Sequence, residues 1–196
     1  MNQKYRIAIF ASGKGSNAEA IIKYFNQHPT ISVELIVSNN PQAFVLERAR
    51  KFGIQSIVFN KKEFNSEITA RLSERQITHI VLAGFLWLIP PVLLKAYPNK
   101  IINIHPALLP KFGGKGMYGM KIHEQVRASS DKETGISIHI VDEKYDEGMI
   151  LYQHKCEVSH DDTAELIAEK VHQLEYAWYP QIIERWVLNK LETSLV

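Results

Sequence analysis

Arg6-Ile7-Ala8-Ile9-Phe10-Ala11-Ser12-Gly13-Lys14-Gly15-Ser16-Asn17-Ala18 decides the fold class. Residues 6–11 read as a strand buried on both faces, the pattern of a parallel sheet covered by helices. A glycine-rich turn follows. Ala18, Ile21, Ile22 and Phe25 then bring apolar residues back at helical spacing. Ser16 is the expected N-cap.

The same alternation continues. Strands are expected at 32–37, 56–59, 79–82 and 100–104, with helices at 41–52, 62–75, from Pro90-Pro91 onward, and at 120–129. Gly53 stops the second helix. Strand–helix alternation of this kind predicts an α/β fold with a doubly wound, mostly parallel, Rossmann-like sheet and right-handed crossovers. Residues 134–141 alternate strictly, with Ile136, Ile138 and Ile140 on one side and Ser137, His139 and Val141 on the other. With 149–158 they predict an antiparallel C-terminal strand pair. A long closing helix begins at Asp161-Asp162-Thr163, and Pro180 must kink or divide it.

The turn 12–17 aims backbone N–H groups at an anion, helped by the helix dipole. Gly13-x-Gly15-x-x-Ala18 formally matches a dinucleotide fingerprint, which also needs an acid at the end of the second strand. That strand ends in Ser38-Asn39-Asn40, so a phosphate monoester fits better. The Gly-x-x-x-x-Gly-Lys-Ser/Thr order of a P-loop is absent. A plain tight turn between strand and helix is the alternative.

Composition narrows the classes. The chain has 196 residues, 45% hydrophobic and 22% charged, which is globular. Its net charge of +2 and the lack of a basic run interleaved with aromatics argue against nucleic acid. Cys156 is the only cysteine, so no internal disulfide framework exists and a reducing compartment suits the chain. No Cys/His cluster has zinc spacing, and no metal is expected. Residues 1–6 are polar and lead straight into a strand, so no signal peptide is visible. No apolar run is long enough to span a bilayer. The expectation is a cytoplasmic protein with small-molecule ligands, no membrane partner, and a monomeric or homodimeric state.

Chemistry concentrates at Asn103-Ile104-His105-Pro106-Ala107-Leu108-Leu109-Pro110. Asn103 and His105 stand two apart in a strand and so share a side. Pro106 cannot continue the ladder. A carboxamide can hold an oxyanion and an imidazole can move a proton near neutral pH. The alternative is that the pair merely closes off a strand. Three further stretches are informative. Residues 83–89, with Leu86, Trp87, Leu88 and Ile89, form an unusually apolar loop, either core or the wall of a pocket for a flat ligand. Residues 111–119 carry four glycines and two lysines, which suits a lid. Residues 142–148 are acidic, and taken alone would read as a solvated connection.

Ser12-Gly13-x-Gly15-Ser16-Asn17, Leu82-Ala83-Gly84-Phe85, Asn103-Ile104-His105-Pro106-x-Leu108-Leu109-Pro110 and Asp146-x-Gly148 occur in this order. Together they resemble the folate-dependent formyltransferases, and within them the glycinamide ribonucleotide enzymes of purine synthesis. The resemblance spans nearly the whole chain and implies one formyltransferase domain over residues 1–196, with a ribonucleotide-binding N-terminal half and a folate-binding, catalytic C-terminal half. It implies 10-formyltetrahydrofolate as co-substrate and Asn103, His105 and Asp146 as the catalytic trio. Gly15, Ser16, Asn17 and Glu175 are implied for the ribonucleotide. Leu86, Trp87, Leu88, Ile89, Val141, Asp142, Asn103 and Asp146 are implied around the pterin. His123 and His139 are raised as near-site residues. A carboxylate beside His105 would raise its pKa above the reference of about 6.5. The sequence departs from the pattern at Ala107, Glu147 and Met149, and around Glu67 it lacks an arginine for the folate tail.

Related chemistries remain as rivals. A methionyl-tRNA formyltransferase should add an RNA-binding domain, and a formyl-folate hydrolase a regulatory or dehydrogenase domain. A non-catalytic nucleotide-binding module would leave the trio idle.

Overall fold

The computed structural model describes residues 4–191. Its elements are β1 (Tyr5–Phe10), α1 (Ser16–Phe25), β2 (Ile31–Ser38), α2 (Val45–Lys51), β3 (Gln55–Val58), α3 (Lys61–Glu74), β4 (His79–Leu82), α4 (Pro91–Ala96) and β5 (Ile101–His105). They continue with α5 (Met120–Ala128), β6 (Glu133–Ile140), β7 (Ile150–Glu157) and α6 (Ala164–Val187). Residues 1–3 of the polar N-terminal segment and 192–196 of the expected domain lie outside the described residues.

The strands form one sheet in the order β3-β2-β1-β4-β5-β6-β7. β1 to β5 are mutually parallel, β6 runs antiparallel to β5, and β7 antiparallel to β6. The doubly wound expectation and its antiparallel C-terminal addition are both present. The order reverses between β1 and β4, and in such sheets the crevice beyond the carboxyl ends at that point takes the ligand.

Alternation along the strands builds two cores. Ile7, Ile9, Ile36, Val81, Ile102, Ile104, Ile136 and Ile138 pack with residues of α1, α2, α5 and α6. Ala8, Phe10, Leu35, Val37, Ile80, Leu82 and Ile101 pack with Phe64, Ile68 and Leu72 of α3 and Leu93 of α4. The second layer runs out at β5 and β6. On that face the strands carry Asn103, His105, Ser137 and His139, paired across the sheet as Asn103 with His139 and His105 with Ser137. Loop backbone replaces a helix there. Ser137 Oγ donates to the Ala107 carbonyl (2.7 Å) and accepts from the Leu109 N–H (2.9 Å), and Gln153 Nε2 donates to the Leu109 carbonyl (3.0 Å). A polar face under polar backbone satisfies groups that an apolar helix would leave unpaired.

Three local expectations are corrected. Gly15, not Ser16, occupies the cap of α1, in the left-handed region at φ 70°, with Ser16 already helical. A Cβ on Gly15 would meet the Val45 side chain at 2.5 Å, so glycine lets α2 sit flush on the turn. The second helix begins at Val45 and not at residue 41, because Asn40 Oδ1 captures the Gln42 N–H (2.9 Å) in a local turn. Pro180 does not divide the closing helix.

Candidate functional site

A cavity of about 680 Å³ opens at the carboxyl ends of β1, β4 and β5 and extends over the polar face of β6. This size is typical of small-molecule sites. Its two ends are built differently.

At the first end lie residues 12–17. Ser12 is tied to the loop after β4: its N–H donates to the Gly84 carbonyl (3.0 Å), and its Oγ accepts from the Leu86 N–H (3.0 Å). Gly15, Ser16 and Asn17 line the cavity where α1 begins, and the first N–H groups of a helix lack intrahelical acceptors. Asn17 Nδ2 donates to Glu175 Oε2 (2.9 Å), while Asn17 Oδ1 is buried without a partner. Glu175 comes from α6 and is 5% exposed. Burial pushes its carboxyl up to about 7, against the pull of Asn17. Tyr179, one turn further along α6, donates to the Leu82 carbonyl (2.8 Å) and fixes the helix to the carboxyl end of β4.

At the other end, Asp146 enters from the loop between β6 and β7 in a left-handed conformation, φ 58°. Its Oδ2 accepts from the Gly114 N–H (3.0 Å) and lies 3.4 Å from His105 Nδ1. Its Oδ1 lies 3.4 Å from Asn103 Nδ2 and 3.5 Å from His139 Nε2. The trio expected from sequence is therefore assembled across forty-odd residues, with His139 as a fourth member. His139 Nδ1 donates to the Ile140 carbonyl (2.9 Å), and its Nε2 stands between Asn103 Nδ2 (3.1 Å) and Asp146 Oδ1. His105 Nε2 donates to the Phe112 carbonyl (2.8 Å).

The electrostatics correct one expectation. Burial pulls the His105 pKa below the ordinary imidazole value, and the Asp146 charge and Phe112 carbonyl only partly restore it. Burial thus favours the uncharged form of His105. Burial works to raise Asp146, but the His139 side-chain hydrogen bond, the attraction to His105 whenever that ring is protonated, and the Gly114 N–H outweigh it and hold the carboxyl below its usual value.

The remaining expectations divide. Leu86, Trp87, Leu88, Ile89 and Val141 line the cavity. Leu86 and Leu88 are exposed there, whereas Ile89 is buried in the second core and Trp87 packs edge-on against Phe64 and Phe85. The apolar loop is both core and wall. Asp142 is not among the lining residues; its carboxylate accepts from the Lys144 N–H (2.9 Å) and shapes the loop. His123 also lies outside the lining, buried behind His172. Sequence reasoning missed His172, which lies on the inner face of α6 one turn before Glu175, a spacing that carried the signal. Lys61, whose ammonium sits 4.7 Å over the Trp87 ring, is not among the lining residues. Among the described residues no group of three or more His, Cys, Asp and Glu side chains is arranged to hold a metal ion.

A parallel sheet whose strand order reverses, a glycine turn opening a helix and a buried Asn-His-Asp cluster in one cavity are the parts of an α/β enzyme site. Comparison with known proteins narrows the class. The formyl transferase family matches residues 5–183. The phosphoribosylglycinamide formyltransferase of Bacillus subtilis is 41% identical over 187 residues, covering 92% of this chain and 93% of that protein. The chloroplastic enzyme of the same description from Arabidopsis thaliana is 38% identical over 189 residues, covering 92% of this chain and 65% of that one. Among solved structures, phosphoribosylglycinamide formyltransferase from Anaplasma phagocytophilum superposes with a TM-score of 0.88 at 32% identity, over 96% of this chain and 89% of that one. The Bacillus halodurans enzyme gives 0.84 at 38% identity, over 97% and 98%. The chain belongs to the formyl transferase family.

Proposed function

We propose that the protein transfers the formyl group of 10-formyltetrahydrofolate to the amine of glycinamide ribonucleotide, giving formylglycinamide ribonucleotide and tetrahydrofolate in cytoplasmic purine synthesis. The observation that carries this reading is one cavity with an anion-facing glycine turn at one end and Asn103, His105, His139 and Asp146 at the other.

In this reading the Gly15, Ser16 and Asn17 N–H groups take the phosphate and Glu175 takes the ribonucleotide beyond it. Leu86, Leu88 and Val141 take the pterin, and Lys61 meets the acidic tail that an arginine was expected to hold. The amine attacks the formyl carbon and negative charge develops on oxygen. Asn103 Nδ2 is the donor for that charge. Its 3.4 Å contact with Asp146 is long for a hydrogen bond and readily exchanged. His105 takes the proton that the amine loses as the intermediate forms, with the Phe112 carbonyl and Asp146 facing its two nitrogens to accept both N–H bonds of the imidazolium. Catalytic contacts that are long without ligand commonly tighten when substrate binds. Asp146 then helps pass that proton from His105, through a water, to the folate nitrogen as the bond between that nitrogen and the formyl carbon breaks, which releases tetrahydrofolate. One domain serves both substrates, and no metal takes part in these steps.

Mixing the pure protein with glycinamide ribonucleotide and 10-formyltetrahydrofolate should change the folate absorbance and yield one formylated ribonucleotide per tetrahydrofolate. Turnover without the ribonucleotide would identify a hydrolase instead, and formylation of methionyl-tRNA a different acceptor. Binding without turnover would identify a nucleotide-binding module.

A further inference from the structure

Helix α2 grips the outside of the glycine turn. The Gly13 carbonyl accepts from the Val45 N–H (3.1 Å), and the Lys14 carbonyl accepts from Arg48 Nε (2.8 Å). The next carbonyl, Gly15, accepts from Glu19 N–H (2.9 Å) in the first turn of α1. In a trans peptide the C=O and N–H point in opposite directions. Lys14 and Gly15 line the cavity, and Val45 and Arg48 do not. Holding the Gly13 and Lys14 carbonyls from behind therefore turns the Lys14 and Gly15 N–H groups toward the cavity. Val45 does this with backbone alone. At the Lys14–Gly15 peptide the work falls to one side chain.

Arg48 is fixed for this task. Its guanidinium is ion-paired with Glu19 of α1 and lies over the Phe44 ring, 5.1 Å from the centroid. Glu19 compensates the charge, and the side chain touches no part of the cavity lining, so Arg48 is no direct phosphate ligand. What it offers is a donor bond from a cation to one peptide carbonyl. Such a bond fixes the peptide plane, and with it the direction of the N–H on the far side.

We propose that Arg48 is a positioning residue for the substrate phosphate, holding the Lys14–Gly15 peptide so that its N–H meets the anion. The inference rests on the phosphate reading above. Its test uses R48M and R48Q in the full-length enzyme, with ribose 5-phosphate as a competitive probe. Methionine keeps the bulk and removes the donor. Glutamine carries Nε2 at the same number of bonds from the backbone as the arginine Nε, without the charge.

R48M should raise both KM for the ribonucleotide and Ki for ribose 5-phosphate about 5- to 100-fold, the range for leaving a hydrogen-bonding group unsatisfied. kcat and the folate KM should stay within about two-fold, because the loss is in ground-state binding. R48Q should recover most of the affinity. An unchanged ribonucleotide KM in R48M overturns the proposal. So does an R48Q as impaired as R48M, which would make charge the cause, or a parallel change in kcat and folate KM, which would make the effect global. If R48M fails to fold, R48Q alone decides, since a large rise in its KM refutes the role. Gly15→Ala separates the two readings. If it leaves the ribonucleotide KM untouched, the phosphate lies elsewhere; if it raises KM while R48M is silent, only the role of Arg48 falls.

Discussion

Asp146→Asn is the most informative single change. Asparagine keeps the shape and tolerates the left-handed backbone at φ 58°, so the loop should hold. The carboxylate charge is lost 3.4 Å from His105 Nδ1. At an effective dielectric of roughly 20, an imidazolium at that distance gains about 5 kcal/mol from the carboxylate. Part of this returns because the amide oxygen still accepts from the Gly114 N–H, leaving about 3–4 kcal/mol. That corresponds to a fall in kcat of about 10²- to 10³-fold. The ribonucleotide KM should change by no more than a few-fold, because an uncharged His105 feels the charge little and the transition state feels it fully. Turnover is read by folate absorbance at neutral pH with both substrates saturating. His105→Ala in the Asp146→Asn background should then cost far less than in the wild type. Near-wild-type turnover of Asp146→Asn would refute the assignment and return residues 142–148 to an ordinary solvated connection.

The segment 111–119 should exchange amide hydrogen quickly without ligand and slowly with ribonucleotide bound, except at Gly114, whose N–H is already held by Asp146; equal rates in both states would argue against a lid. The Glu175 carboxyl, pushed up to about 7, ionises late, so the ribonucleotide KM should rise as pH falls below about 7, and Glu175→Gln should flatten that profile while raising KM throughout. His79, buried beside Trp186, is lowered to about 4. The unfolded chain binds a proton at about 6.5 that the folded one takes up only near 4, so stability is full above the unfolded value and falls as pH drops between the two. The loss is about 3 kcal/mol from this residue. His79→Gln should make acid unfolding, followed by circular dichroism, shallower between about pH 6 and 4.

The sheet was legible because its signals are local. Buried strands, periodic helices and the turn 12–17 each announce themselves within a few residues. Ser16 misled because serine is a favoured cap, and only the approach of Val45 reveals why glycine takes the position. The early start assigned to α2 missed a single Asn40 side-chain bond. Asn103 and His105 were readable from their spacing, and Asp146 only through the family resemblance, since nothing near it in sequence distinguishes it from its acidic neighbours. The His105 pKa had the wrong sign because proximity to a carboxylate could be inferred and the depth of burial could not.

The pairing of Asn103 with His139 and of His105 with Ser137 makes β6 a ruler. Ile136, Ile138 and Ile140 on its reverse face hold that ruler at one setting. An insertion or deletion of one residue between Glu133 and Ile140 would slide isoleucines under Asn103 and expel His139 to the helix side, because strand side chains alternate with a period of two. The connection between β6 and β7 is bound by no such register, only by the need to keep Val141 and Asp146 at the cavity and Gly148 against the Ile140 carbonyl. Diversification by length, in the laboratory or in nature, is therefore open in that loop and closed in the strand before it.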